Sequence, residues 1–330
     1  MHARLTARTV CCALVALTLG VTGCGAAHPG AGAPDAAIDP RLQAILQEPH
    51  LVFLQPSGAD PTLDEVAVAP LVQGTGVRFL TGLHCMRVYF AGGHGICAGR
   101  NLQGGGFFFD DRFVAGRTLK QAGLTSRARM SADGRLAAST VFETGNGYNA
   151  PGFSTNTLIT TVATGASVDL EQFAVSMDGQ RLRADDVNFW GVTFAADGNR
   201  FYATLGTNGH AYLVEGDPAA RTARVLADGV ECPSLSPDGT RVAYKKPLPG
   251  DQRRWRLHVL DLRTMADTTL ADPRSVDDQV EWLDSSRIAY GVQDEGPPAT
   301  LDVNLWTVPA DGTGAPTIFL AHATSPAVAR

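Results

Sequence analysis

One recurring phrase constrains the fold of this chain more than any other feature. A small or polar pair and Asp-Gly precede a short apolar run at Ser131-Ala-Asp-Gly134, Ala195-Ala-Asp-Gly198 and Ser236-Pro-Asp-Gly239, with a variant at Leu283-Asp-Ser-Ser286. Asp-Gly supplies the positive φ of a tight hairpin. The β-branched and aromatic residues that follow suit a strand. Asp197, Asp238 and Asp284 lie 41 and 46 residues apart, which is the spacing of propeller blades.

Each unit has material for four strands. After the phrase at Asp238 come Leu257–Leu262 and Thr268–Leu270; after Asp197 come Ala211–Gly216 and Ala223–Leu226. Asn304–Pro309 and Thr317–Leu320 play the same parts in the last unit. A sandwich does not repeat its turn chemistry at this period, whereas radial repetition does. Three units follow Phe189, residues 123–170 form another, and Gly76–Leu119 forms a degenerate one. His50–Leu54 and Glu65–Ala69 read as the second and third strands of a blade that lacks its first. The C-terminal Ser325–Ala329 supplies that strand and ties the ring shut, removing two sheet edges. The expectation is an all-β protein: a six-bladed β-propeller of four-stranded antiparallel blades over residues 48–330, closed by the C-terminal strand. Ser176-Met-Asp-Gly179 repeats the phrase, but it stands 19 residues before Asp197. That is too short for a blade, so Leu170–Asp186 reads as an outer hairpin, with a seventh blade as the alternative.

The N-terminus reads as an export signal over residues 1–23. Arg4 and Arg8 precede an apolar run from Thr9 to Leu19 that is too short to span a bilayer. Val21-Thr-Gly-Cys24 resembles the bacterial lipobox, which implies lipidation of Cys24 and an extracytoplasmic, membrane-anchored protein. Residues 24–47 then read as the lipidated cysteine and a flexible tether, rich in Gly, Ala and Pro at its start. Leu42–Leu46 has the pattern of one short helix. Cys85 and Cys97 flank the turn Gly92-Gly-His-Gly95 and are expected to form a disulfide across one hairpin. Cys232 reads as a small buried residue. The net charge of -6 argues against nucleic acid as a partner.

Ser236-Pro-Asp-Gly-Thr-Arg-Val-Ala-Tyr244, followed by Leu257-His-Val-Leu-Asp-Leu262, resembles the repeat of TolB-like six-bladed propellers. The resemblance covers roughly residues 123–320. Asn188-Phe-Trp-Gly-Val-Thr-Phe-Ala195, Glu231-Cys-Pro-Ser-Leu235 and Ser275-Val-Asp-Asp-Gln279 resemble exported TolB-like proteins of high-GC actinobacteria. The resemblance implies a fold and a place at the cell envelope. It does not carry over the role of TolB itself, which has a small α/β domain before its propeller.

Candidate functional residues are those entering the innermost strands, where a propeller presents its channel mouth. They are Arg127, Asn188, Glu231, Asp277 and Asp278, with Arg129, Trp190 and Gln279 beside them. This mixture suits an envelope protein or peptide as partner, bound by a monomer without a cofactor. Calcium is the metal that Glu231, Asp277 and Asp278 would suit, if their oxygens converged. A channel-mouth enzyme of the lyase or glycosidase class and a small-ligand or ion sensor are the alternatives. There is no Gly-x-Ser-x-Gly elbow and no His-Glu-x-x-His. Lys245, Lys246, Arg253, Arg254 and Arg256 read as a solvated loop between two strands, and the four tryptophans as packing between blades.

Overall fold

The computed structural model describes residues 38–56, 64–99, 105–143, 154–293 and 303–330. Residues 1–37 lie outside them, and with them the expected export signal and Cys24. The strands form six sheets, each antiparallel through its four blade strands. The ring closes as expected: Thr324–Ala329 is the innermost strand of the first blade, paired antiparallel with His50–Gln55 and followed by Asp64–Pro70 and Phe79–Cys85. The other five innermost strands are Arg87–Ala91, Leu124–Met130, Asn188–Phe194, Glu231–Leu235 and Glu281–Trp282.

The fourth blade carries the outer hairpin read from Leu170–Asp186. Ala174–Met177 runs parallel to the outermost strand Thr222–Asp228, and Gln180–Arg181 follows it, making a six-stranded sheet. The blade count is six.

The core is divided among the seams. Six apolar clusters each lie between two neighbouring blades. Strand alternation sorts the side chains between seams: Leu51 and Phe53 pack toward the sixth blade, whereas Val52 and Leu54 pack toward the second. A strand buried on both faces reads as a continuous apolar run, as His50–Gln55 does. The Asp-Gly turns join innermost to second strands. In the fifth blade, Gly239 takes φ +70 while Asp238 accepts from the backbone N–H and hydroxyl of Thr240.

Two expectations change. The disulfide forms, with Cα atoms 5.4 Å apart, but it joins two blades. Cys85 ends the outermost strand of the first blade, and Cys97 lies in the second strand of the second blade, opposite Val88. The blade boundary falls at Met86 rather than Gly76, because Phe79–Cys85 pairs with Asp64–Pro70. The end of the presumed tether is also ordered. Pro40–Leu46 is helical, with Asp39 as N-cap accepting from the Arg41 N–H. Leu42 and Ile45 are buried in the seam between the first and second blades.

Candidate functional site

The propeller has two ends. Innermost strands end at the Asp-Gly turns, and third strands end there too, so turns of both kinds share one face. Innermost strands begin at the opposite face, here called the mouth. Three of the five candidate residues meet at the mouth. Asp277 precedes the innermost strand of the sixth blade, Arg127 lies in that of the third, and Glu231 starts that of the fifth.

They meet through a residue that the sequence reading had placed in a solvated loop. Lys245 lies in the second strand of the fifth blade, Arg241–Leu248, and its side chain is 1% exposed. Its ammonium lies 2.5 Å from Asp277 Oδ1 and 4.2 Å from the centroid of the Trp255 ring. Arg127, also buried, donates from Nη2 to the same Asp277 oxygen at 3.0 Å. Trp255 Nε1 donates to Glu231 Oε1 at 2.9 Å. The basic run is therefore strand, not loop, because Arg241–Leu248 and Asp251–Asp261 extend as one long hairpin. The signal for this was alternation: Tyr244 and Lys246 both reach Asp267 on one face, so Lys245 takes the other.

Two buried cations thus converge on one oxygen of a carboxylate whose side chain is 49% exposed. Burial acts to raise the pKa of Asp277, but the nearby Lys245 and Arg127 charges outweigh it and hold the group at about 2. Glu231 moves the other way. Its burial pushes the carboxyl up, against the pull of Lys245 and the Trp255 N–H.

Asn188 and Asp278 do other work. Asn188 Oδ1 accepts from the backbone N–H and hydroxyl of Thr155, tying the third blade to the fourth. Asp278 accepts from the backbone N–H of Gln279 and of Gly291 within its own blade. Its carboxylate is therefore committed away from Asp277, and among the described residues no group of three or more metal ligands assembles. Gln279 donates to Val192 O and Pro233 O, bracing two innermost strands. Trp190 and Trp282 are buried in packing, as expected.

Deeper in the channel, Arg129 donates from Nη1 to Glu281 Oε2 at 2.5 Å and from Nη2 to Val280 O. Tyr89 stacks under this guanidinium, 4.6 Å from centroid to Cζ, and its hydroxyl meets both oxygens of Glu281. Burial pushes the Tyr89 phenol up to about 12. Arg129 is two residues along the strand from Arg127, and so points to the same face and into the same channel. Sequence reading missed Tyr89 and Glu281, since neither has a local pattern. Beyond this plug, on the turn face, lies a cavity of about 390 Å³ lined by Met130, Phe194, Pro237 and Arg330 among others.

No family model and no curated protein matches the sequence. Solved structures do match. TolB from Acinetobacter baumannii superposes with a TM-score of 0.61 over 86% of this chain and 67% of its own, at 13% identity. The fold is that of a TolB-like propeller. A chain of a nidogen/laminin complex is similar as well, with a TM-score of 0.57 over 86% of this chain and 98% of its own, at 12% identity. At such identities the likeness speaks for architecture alone. Among the described residues no helix is long and apolar enough to cross a membrane.

Proposed function

We propose that this TolB-like propeller is a lipid-anchored, extracytoplasmic binding protein of the cell envelope, acting as a monomer without catalysis or cofactor. Its mouth engages a protein or peptide partner. The observation that carries this reading is the Lys245–Asp277–Arg127 cluster. It presents a half-exposed carboxylate fixed by two buried cations, a preorganised polar contact for donors such as peptide N–H groups or side-chain amides. A carboxyl held at about 2 is a poor general base near neutral pH. The partner class is supported by the nidogen/laminin complex, in which a similar propeller sits within a protein assembly. Anchoring is supported by the lipobox-like Val21-Thr-Gly-Cys24 after an apolar run.

The test is in-cell crosslinking of the anchored chain, with co-purified proteins identified, beside an Asp277→Asn/Glu231→Gln variant. A reproducible partner lost in the variant places the contact at the mouth. A partner kept in the variant, or none above background, refutes the reading.

One observation favours a second reading, a mouth enzyme of the lyase or glycosidase kind. Glu231 and Asp277 share surroundings that push their pKa values apart, as a protonated acid beside an ionised nucleophile or charge-stabilising carboxylate requires. Turnover of an envelope glycan that disappears in both Glu231→Gln and Asp277→Asn would establish it in place of the first.

A further inference from the structure

We propose that the turn face lies against a lipid bilayer, held there by an arc of exposed apolar side chains. Among the described residues seven large apolar side chains stand out as exposed, and six belong to the turn face. Val72 and Val77 lie in the turn between the third and fourth strands of the first blade, and Val114 in that of the second. Met265 lies in the same turn of the fifth blade. Leu80 and Ile318 are each the second residue of an outermost strand that begins at this face, in the first and sixth blades. Their exposures run from 42% for Met265 and Ile318 to 59% for Val72. Only Leu124 sits at the mouth end.

The placement is not scattered. Blades five, six, one and two are consecutive around the ring, because the C-terminal strand makes the first blade the neighbour of the sixth. The arc is also continuous across the closing seam. Gln73 donates to the Thr317 hydroxyl and Ile318 O, and the Gly74 N–H to Phe319 O, which sets the Val72 turn against the Ile318 strand.

The occupant follows from where the chain enters. The helix Pro40–Leu46 leads into His50, which pairs with Ala329 at the turn-face end of the first blade. Arg41 of that helix lies over the Phe79 ring, next to Leu80. The first described residue, Ile38, packs into the seam of the first and second blades. The described chain therefore enters the propeller beside the arc and not at the mouth. From Cys24 to Ile38 the chain reaches at most about 50 Å. A lipid on Cys24 would hold this face at high effective concentration above the bilayer, where a few apolar side chains suffice as a second membrane signal. The turns of the arc carry both signs of charge, Arg78, Arg112 and Arg263 beside Asp111 and Asp311. Attachment is thus apolar and indifferent to lipid charge. The mouth, at the other end, faces away from the membrane and toward its partner.

The inference rests on the anchor reading of Cys24, and its test separates the two. Cells express the full chain carrying Val72→Cys, Val114→Cys or Ile318→Cys, with Ala122→Cys at the mouth face as control and the unaltered chain as blank. Ala122 is exposed in the connection that leads into an innermost strand. Membranes are labelled with an impermeant maleimide before and after detergent. The three arc sites are expected to label about fivefold more slowly in membranes than in detergent, with Ala122→Cys unchanged within about twofold. Equal rates at the arc sites in both states, with the chain in the membrane fraction, overturn the docking and leave the anchor standing. Protection that survives detergent also overturns it, since a second copy or another protein then covers the arc. A chain found in the soluble fraction, or a Cys24→Ala chain that stays with membranes, refutes the anchor by fractionation alone. The docking falls with it.

Discussion

Removing the bridge between Cys85 and Cys97 tests the link between two blades. The bridge closes a loop with a sequence separation of 12 residues. Restricting the unfolded chain over such a loop is worth about 3 kcal/mol at 25 °C. Both sulfurs lie in the fully buried seam with Val66, Val88 and Phe109, so alanine at both positions leaves two small gaps costing about 1 kcal/mol each. A Cys85→Ala/Cys97→Ala protein should therefore lose about 3–5 kcal/mol. Unfolding a domain of this size changes entropy by about 0.6 kcal/mol/K, so the midpoint should fall by about 5–8 °C. The assay is urea and thermal unfolding by circular dichroism, with the native chain unfolded, reduced and refolded as a second arm. Reduction should reproduce about 3 kcal/mol of the loss in the native chain and none in the variant. A native chain indifferent to reduction, or a variant within about 1 kcal/mol of it, would refute the reasoning.

Four further outcomes are expected. Glu281→Ala strands the Arg129 guanidinium in the channel and should cost about 3–5 kcal/mol by urea denaturation. Lys245→Met should let the Asp277 carboxyl rise from about 2 toward its ordinary 3.8, read by NMR titration of that carboxyl; an unmoved value would mean that Lys245 does not set it. Burial pushes Glu171 up to about 8 from 4.5, so its contribution to stability is full below pH 4.5 and lost as pH rises through 8; a flat stability profile between pH 5 and 9 would contradict this. Deleting Thr324–Arg330 opens the first blade on its channel side and should yield an aggregating chain by size-exclusion chromatography, whereas a monomer with native circular dichroism would show that closure is dispensable.

The sequence by itself determined the architecture. Turn chemistry and strand alternation are local, and here they repeat, so Asp197, Asp238 and Asp284 mark the blades and the unpaired His50–Gln55 calls for a C-terminal partner. The extra hairpin was legible for the same reason, since its Asp-Gly phrase came too soon for a blade. What lay across seams was not legible. Cys85 and Cys97 were rightly paired, but Cys85 belongs to an outermost strand, and only the pairing of Phe79–Cys85 with Asp64–Pro70 shows it. Of the five candidates at the mouth, Arg127, Glu231 and Asp277 come together, while Asn188 and Asp278 spend their side chains on backbone groups. Lys245 was the largest omission. Its burial depends on Asp277, 32 residues away, and on Trp255 across the hairpin. Charge in a sequence reports solvation only on average, and a cation is buried when tertiary structure brings it a counter-charge that no local pattern encodes.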